Sequence, residues 1–536
     1  MPSTPTTKSQ VQAYRFVLKR MQSALVRRDS VMLHDPMRSH GRATIVGFLL
    51  GMLGVVGFVV YGLLSPSPGV PDSGIVIGKT SGQIYVVSGT PKTLTPTFNL
   101  ASARLLLMSQ QQGGGAQVSD PTVVPDDSLK DLPRGRRTGI VDGPQLLPTA
   151  GQRISDNWSV CDNLVINPQL PDSVKLAQAK RETTVLAGVP SLGTELAPEQ
   201  AIYAVGENKK RYLIYRRPAD PNDPTSNNTV RAEVNTADTA VTTAFNLSAA
   251  TPRPVSIGLL NSIPPEQPLA VPNILGKGGA TRFPTLTTAG LTVGSAFAAT
   301  STGAPDYYIL LQNGIQKVSE GVAKMLFAAQ SSSSRNEIPK VGLDKITSVP
   351  VIQPTDPAAV PVSKMPAVTP TVLDPLQYPT ACLGWSVVNN QPHTAFFVGS
   401  KLPTPDGKAP LDIGEPGPKG KIEHFYMPTG RAAVVQSATG ADSFNRGPLS
   451  LISDSGTVYG IPDVNTAKGL GLYDPLPRPA PDVIIGLLPT GASLNVADAQ
   501  RSYDNIEVLP DNGRNVNQAA QNSQVPASSS SGSSGN

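Results

Sequence analysis

Hydrophobic residues form one long uninterrupted block near the start of the chain and only short, turn-bounded segments after it. The block is Ala43–Leu64, which has 22 residues and no charged side chain. A helix that crosses a bilayer needs about 20 consecutive apolar residues. A cleaved signal peptide fits less well, because its apolar region is shorter and lies closer to the N-terminus. The pattern therefore predicts a retained transmembrane helix at residues 43–64.

The leader before this block has the pattern of an amphipathic helix. From residue 9 onward, apolar side chains recur at helical spacing, and the face that they form includes Tyr14, Val17, Leu18 and Met21. We expect this face to dock on a cytoplasmic partner. The alternative is a helix that lies on the lipid headgroups, attracted by the basic residues of the same segment.

Beyond the block, short strand-like segments recur around tyrosines. Turn residues lie next to each of these segments, which are Ile84–Val87, Ile202–Val205, Tyr307–Leu310 and Val458–Ile461. A second echo pairs Ile257–Leu260 with Ile485–Leu488. Together the echoes predict about four related α/β units at irregular spacing.

The distribution of charge predicts the orientation of the membrane helix. Residues 1–42 carry eight Lys and Arg against two Asp, so the positive-inside rule places the N-terminus in the cytoplasm. The remaining residues 65–536 then lie outside and carry a net charge of −1. The basic character of the whole chain therefore belongs to the leader, and nucleic acid is not an expected partner.

The two cysteines and the two tryptophans occur in mirrored settings. Trp158 lies three residues before Cys161, and Trp385 lies three residues after Cys382. Outside the cytoplasm a cysteine pair is expected to be oxidised, which predicts a disulfide with both tryptophans in one shared core. Two free buried thiols are the alternative.

These features predict an α+β protein, in which a leader helix and one transmembrane helix precede an elongated region of about four repeat units around a disulfide-linked central domain. Its 53 Pro and 49 Gly agree with many short elements joined by turns. The expected segments are the leader 1–42, the membrane helix 43–64, a stalk with the first unit 65–130, the central domain 131–185 and 350–400, the second unit 186–256, the third unit 257–349, the fourth unit with a return segment 401–511, and a disordered tail 512–536.

Signatures of catalysis are scarce in the sequence. No His or Cys pair has zinc-ligand spacing, and the common serine-nucleophile motifs are missing. The nearest match to a phosphate-binding loop ends in Gly78, Lys79 and Thr80, but Ser73 stands where that motif requires glycine. The glycine-rich segment around Lys277 has no strand-then-helix context. We therefore expect no catalytic residue, metal or cofactor, and we treat both loops as ordinary turns.

The leader also carries the most specific resemblance in the chain. Its segments Gln12–Phe16 and Ala24–Arg27, with Asp29 and Asp35–Pro36, precede a single anchor and a cysteine-paired exterior. This layout closely resembles the EccB family, membrane components of mycobacterial type VII (ESX) secretion systems. The resemblance implies a structural subunit of the inner membrane with a periplasmic bulk, and partners that include the EccC ATPase, EccD, EccE and a mycosin protease, with self-association of the periplasmic regions.

The same resemblance leaves two further functions open. The periplasmic region of the family is described as a disulfide-bonded central domain with four repeats similar to a cell-wall-binding phage lysin subunit, which implies a possible cell-wall-binding role. Family members are often labelled ATPases, so ATP is a cofactor only if that label holds here. A periplasmic nucleotide hydrolase thus remains the alternative to a structural subunit, although the loop at Lys79 gives it no support.

Overall fold

The computed structural model describes residues 7–27, 36–64, 69–110, 120–154, 157–300, 303–330, 337–405 and 408–503. The predicted tail 512–536 lies outside these residues. The chain divides into two compact units, Met1–Gly69 and Val70–Asn536. We describe each unit by itself.

The first unit contains two helices, Lys8–Arg27 and Pro36–Leu64. The second includes a candidate membrane span, Gly41–Gly62, with 22 residues, and it is the only such span among the described residues. It overlaps the predicted block and starts two residues earlier. Its side chains are exposed throughout, as expected for a helix whose whole circumference is apolar.

The second unit is a mixed α/β structure built around several sheets. Four outer sheets share one strand order, in which the third, second, first and fourth strands lie side by side. The first three strands are antiparallel, and a helix precedes the fourth, which returns parallel to the first. A parallel return needs a crossover connection, and the helix supplies it.

The elements of outer sheets 1 and 2 follow the chain in the order strand, strand, strand, helix, strand. In outer sheet 1 they are Gly74–Gly78, Ile84–Ser88, Thr93–Pro96, Leu100–Gln110 and Thr122–Val124. In outer sheet 2 they are Gln200–Val205, Arg211–Arg216, Thr229–Val234, Thr239–Ala244 and Arg253–Pro254, with Thr371–Val372 as an added strand.

Outer sheets 3 and 4 repeat this order. In outer sheet 3 the elements are Ala296–Thr300, Asp306–Leu311, Gly314–Val318, Glu320–Ala328 and Lys340–Gly342, with Val351–Ile352 added at the edge. In outer sheet 4 they are Ala433–Ala438, Leu449–Ile452, Val458–Ile461, Val464–Gly469 and Arg478–Pro481. The remaining α-helices of this unit are Asp172–Gln178, Ile257–Ser262, Pro284–Thr287, Asp482–Ile485 and Val496–Ala499.

A seven-stranded sheet takes its strands from stretches of the chain that lie between those of the outer sheets, and we name it the central sheet. In spatial order its strands are Leu411–Asp412, His424–Tyr426, Lys180–Ala187, Trp158–Val165, Thr380–Val388, Gln391–Gly399 and Thr194–Glu195. Residues 401–511, which we expected to form the fourth unit and a return segment, supply strands both to this sheet and to outer sheet 4. A further two-stranded pair joins Arg137–Thr138 to Ser502–Tyr503.

The outer sheets share their hydrophobic cores in pairs. Outer sheets 2 and 3 contribute to one cluster, which includes Val241 and Met325 from their crossover helices. Outer sheet 4 shares a second cluster with Leu105 from the crossover helix of outer sheet 1. The largest cluster joins the central sheet to outer sheets 2 and 4, so the sheets of this unit pack as one body.

Candidate functional site

The glycine-lysine-threonine segment forms a tight turn between two strands of outer sheet 1. Gly78 ends the first strand, and the second begins at Ile84, so no helix follows the turn. The Lys79 N–H donates to the Val124 carbonyl at 2.8 Å. A phosphate-binding loop instead aims successive backbone N–H groups at phosphate from the start of a helix.

Two other backbone N–H groups of this turn donate to a side-chain carboxylate. Asp126 Oδ2 accepts from the Thr80 N–H at 2.8 Å and from the Ser81 N–H at 3.4 Å, and Asp126 Oδ1 accepts from the Ser81 hydroxyl. The Ser81 hydroxyl and these N–H groups lower the pKa of Asp126. Because a Cβ on Gly78 would come within 2.4 Å of Asp126 Oδ1, glycine is required here to admit the aspartate.

The lysine of this turn and the second glycine-rich segment do not come together. Lys79 is exposed and lies outside the Asp126 contacts. In the other segment, Gly276 and Gly278 have φ values of 73° and 81°, which favour glycine. The Gly278 N–H donates to the Val293 carbonyl at 2.9 Å, so this segment is a turn held to its own neighbour. The geometry of either segment gives no phosphate cradle.

Cys161 and Cys382 form a disulfide between neighbouring antiparallel strands of the central sheet. They are directly opposite each other, with a Cα–Cα distance of 4.0 Å, and both side chains are buried. In an antiparallel ladder, non-hydrogen-bonded pairs bring their Cα atoms closer together than hydrogen-bonded pairs do. The bridge closes a sequence separation of 221 residues.

The two tryptophans are also directly opposite each other, but they lie on the other face of the same strands. Trp158 and Trp385 are three positions away from their cysteines, and an odd offset in a strand changes the face. They belong to the large cluster, whereas the disulfide packs with Leu186 and Tyr426 in a small separate cluster. The structure therefore differs from the expected shared core, because strand alternation separates the two pairs.

A buried polar joint connects the central sheet to outer sheet 2, and no sequence motif indicates it. The Asp162 carboxylate is fully buried and accepts from the Thr183 hydroxyl at 2.8 Å, the Ser256 hydroxyl at 2.8 Å and the Ser256 N–H at 2.6 Å. Ser256 also caps the helix Ile257–Ser262 through the Leu259 N–H. Burial raises the pKa of Asp162, and these hydrogen bonds counteract part of the rise.

Arg253 completes this joint. Its guanidinium is 1% exposed and donates to the carbonyls of Tyr378, Pro379 and Asp162 at 2.6 to 2.9 Å. Burial lowers the pKa of Arg253 to about 10, so the side chain stays charged at neutral pH. Asp162 and Arg253 are 91 positions apart and neither belongs to a motif, so no local pattern indicates that they meet.

The two histidines of the second unit have ordinary partners. His393 Nδ1 lies 2.8 Å from Asn228 Oδ1, and His424 Nδ1 lies 2.8 Å from Asp412 Oδ1. Across the described parts of the chain, no group of three or more His, Cys, Asp and Glu side chains is arranged to hold a metal ion.

The predicted docking residues share an exposed surface of the leader helix. Tyr14, Val17, Leu18 and Met21 are 68%, 52%, 45% and 59% exposed. Because these positions fall on one helical face, the helix presents a continuous apolar stripe. This stripe is the part of the first unit, outside the span, that is suited to contact another protein or a lipid surface.

Comparison with known proteins identifies similar chains along almost the full length. Residues 3–508 match the family model described as "Type VII secretion system ESX-1, transport TM domain B". The ESX-3 secretion system ATPase EccB3 of Mycobacterium tuberculosis is 28% identical over 528 residues, which cover 94% of this chain and 90% of the relative. The ESX-1 secretion system ATPase EccB1 of Mycolicibacterium smegmatis is 27% identical, with 94% and 97% covered.

Solved structures share the fold. A chain of an intact ESX-5 inner membrane complex superposes with a TM-score of 0.62 at 22% identity, covering 95% of this chain and 98% of that one. A chain of the EccB3 dimer from the ESX-3 core complex gives a TM-score of 0.62 at 24% identity, covering 80% and 100%.

Proposed function

The chain belongs to the EccB family of type VII (ESX) secretion components, and from that membership we propose that it acts as a structural, membrane-anchored subunit of an ESX inner-membrane complex. It is a single-pass inner-membrane protein, with Gly41–Gly62 as the span. The observation that carries the proposal is the division of the chain into a unit with this span and a unit whose sheets share hydrophobic cores. The second unit therefore offers a rigid surface on which other subunits can assemble.

We propose that the N-terminus is cytoplasmic and that the sheet-containing unit builds the periplasmic part of the complex. Two observations support this orientation. The leader is rich in Lys and Arg, which favours the cytoplasmic side. The second unit contains the Cys161–Cys382 disulfide, and disulfides persist in oxidising compartments outside the cytoplasm.

We further propose that the periplasmic part consists of four copies of one unit around the disulfide-linked central sheet. The support is the strand order that the four outer sheets share, including the crossover helix and the parallel return strand. Four independent origins of the same order are less economical than repetition of one supersecondary unit.

The partners belong to the same proposal. The apolar stripe on helix Lys8–Arg27 would dock on cytoplasmic or membrane subunits of the complex, for which EccC, EccD and EccE are the partners we propose. A mycosin protease and a second copy of this chain would contact the periplasmic part. The solved EccB3 dimer is the precedent for self-association, as a property of that protein.

Affinity purification of the tagged full chain tests this proposal. The membrane is solubilised in mild detergent, and the recovered proteins are identified by mass spectrometry and sized on a native gel. We expect the other ESX membrane subunits to co-purify in one large species. Recovery of the chain without them, under conditions that keep EccC and EccD together, would contradict the proposal.

A further inference from the structure

The second unit begins at Val70, which packs on a small hydrophobic cluster in outer sheet 1. This cluster contains Tyr85 and Leu94, and Leu132 packs on it as well. The Val70 carbonyl also accepts from Lys92 Nζ at 3.2 Å. The span ends at Gly62, so outer sheet 1 is the first sheet after the span in sequence.

Three exposed arginines border the same cluster, at positions 134, 136 and 137. Backbone hydrogen bonds fix the loop that carries them, because the Leu94 N–H donates to the Pro133 carbonyl at 2.8 Å and the Gly135 N–H to the Leu94 carbonyl at 2.9 Å. The basic loop thus has a defined position next to the third strand of outer sheet 1. We name residues 133–137 the arginine loop.

Aromatic rings support two of these guanidinium groups. The Arg134 guanidinium carbon lies 5.8 Å from the centre of the Tyr85 ring, and that of Arg137 lies 4.6 Å from the centre of the Phe98 ring. The Phe98 ring in turn meets the Tyr503 ring edge to face at 5.6 Å. Stacking restricts the arginine side chains, so less conformational entropy is lost when they bind a phosphate.

The charge of this surface favours an anionic ligand. The arginine loop itself, residues 133–137, carries three arginines and no acidic side chain, for a net charge of +3. Arginine presents a planar fork of donors that matches phosphate oxygens, and aromatic side chains are common at the membrane–water interface. The arginine loop combines such donors with supporting aromatic rings.

We propose that the arginine loop binds the phosphate groups of anionic phospholipids. This contact would hold outer sheet 1 at the bilayer surface. It goes beyond the proposed function, because it needs no other subunit. An acidic protein segment is the competing ligand, and the experiment below separates the two.

Hydrogen exchange of the full chain in nanodiscs tests the proposal. One set of discs contains only phosphatidylcholine, and the other contains phosphatidylglycerol as well. We expect the amides of residues 134–138 to exchange about fivefold more slowly in the anionic discs, since each cation near such a surface shifts binding by about that factor. The protection should disappear in 0.5 M salt, where screening shortens the range of the attraction to about 4 Å.

A charge-matched pair of variants locates the effect. R134Q/R136Q/R137Q should exchange equally in both kinds of disc, whereas K277Q/K345Q/K364Q, which removes three exposed cations in the region of outer sheet 3, should keep the difference. Equal exchange of the wild-type loop in both discs would overturn the proposal. If the loop is protected only when partner subunits are added, and equally in both kinds of disc, the proposal would be overturned in favour of an acidic protein ligand. The wild-type comparison needs no substitution, so its result does not depend on the folding of the variants. Co-purification of the complex is a separate measurement, so the two proposals can fail independently.

Discussion

Asp126 holds the turn of outer sheet 1 in the way that a bound anion would, which bears directly on nucleotide binding. The Thr80 and Ser81 N–H groups that could face a phosphate donate to this carboxylate. A phosphate would have to displace the Asp126 carboxylate from these N–H groups, or bind beside it against electrostatic repulsion. The turn therefore does not form a phosphate site next to Lys79.

Substitution of Lys79 should leave any nucleotide hydrolysis by the purified second unit unchanged. In an authentic phosphate-binding loop the lysine neutralises the β- and γ-phosphates, so its removal abolishes turnover. The measurement compares wild type, Lys79→Ala and Lys277→Ala at matched purity by phosphate release. Robust activity that is lost with either substitution would establish a nucleotide site and contradict this prediction.

Asp162 should be among the most costly single positions in the second unit. Asp162→Ala leaves the Thr183 hydroxyl and both Ser256 donors without their acceptor, beside the charged and buried Arg253. We expect a loss of about 3 kcal/mol or more in the free energy of unfolding. Denaturant unfolding of the second unit measures this loss of free energy. Asp442→Ala at an exposed position is the matched control and should change stability by less than about 0.5 kcal/mol.

At the scale of elements, the disulfide fastens two strands that are far apart in sequence. Chain-entropy arguments give a bridge over 221 residues about 5 kcal/mol of stabilisation through the unfolded state. We expect non-reducing peptide mapping to recover the peptides of Cys161 and Cys382 as one linked species. Alkylatable thiols in freshly purified native protein would contradict the pairing.

The separation of faces adds a second outcome to the same experiment. Because Trp158 and Trp385 pack in the large cluster on the opposite face, reduction under native conditions should leave their emission maximum unchanged while the unfolding midpoint falls. A red shift before unfolding would show that the two faces are coupled.

The apolar stripe of the leader helix should be needed for assembly. Replacing Tyr14, Val17, Leu18 and Met21 with serine removes the stripe, and we expect the chain to remain in the membrane but leave the complex. Co-purification from detergent measures this loss. The control replaces Gln12, Lys19 and Gln22 with serine outside the stripe and should assemble normally. Normal assembly of the stripe variant would instead favour a helix bound to lipid.

At the scale of the whole molecule, the span divides the chain between two compartments. We expect alkaline phosphatase fused after residue 70 to be active and a cytoplasm-only reporter at the same site to be inactive, because the basic leader retains the N-terminus inside. A fusion after residue 30 should give the reverse pattern. Activity of the cytoplasmic reporter after residue 70 would reverse the orientation.

The sequence by itself determined the features that depend on neighbouring residues. The membrane helix could be located within two residues, because a continuous apolar run is a local property. The four tyrosine segments all lie in strands, since strand alternation and turn residues are also local. The echo of Ile257–Leu260 and Ile485–Leu488 follows the fourth strands of outer sheets 2 and 4, although Ile257 begins one helix and Ile485 ends the other.

Only the tertiary structure decided which of these elements meet and which faces they share. The tyrosine segments occupy the second, first, second and third strands of their sheets, so the echo did not give the register. The separation of tryptophans from disulfide, the shared cores of paired sheets, and the contacts of Asp162 and Asp126 depend on residues brought together from distant parts of the chain. Local periodicity is fixed by backbone geometry over a few residues, whereas register and burial follow from long-range packing, which no single segment encodes.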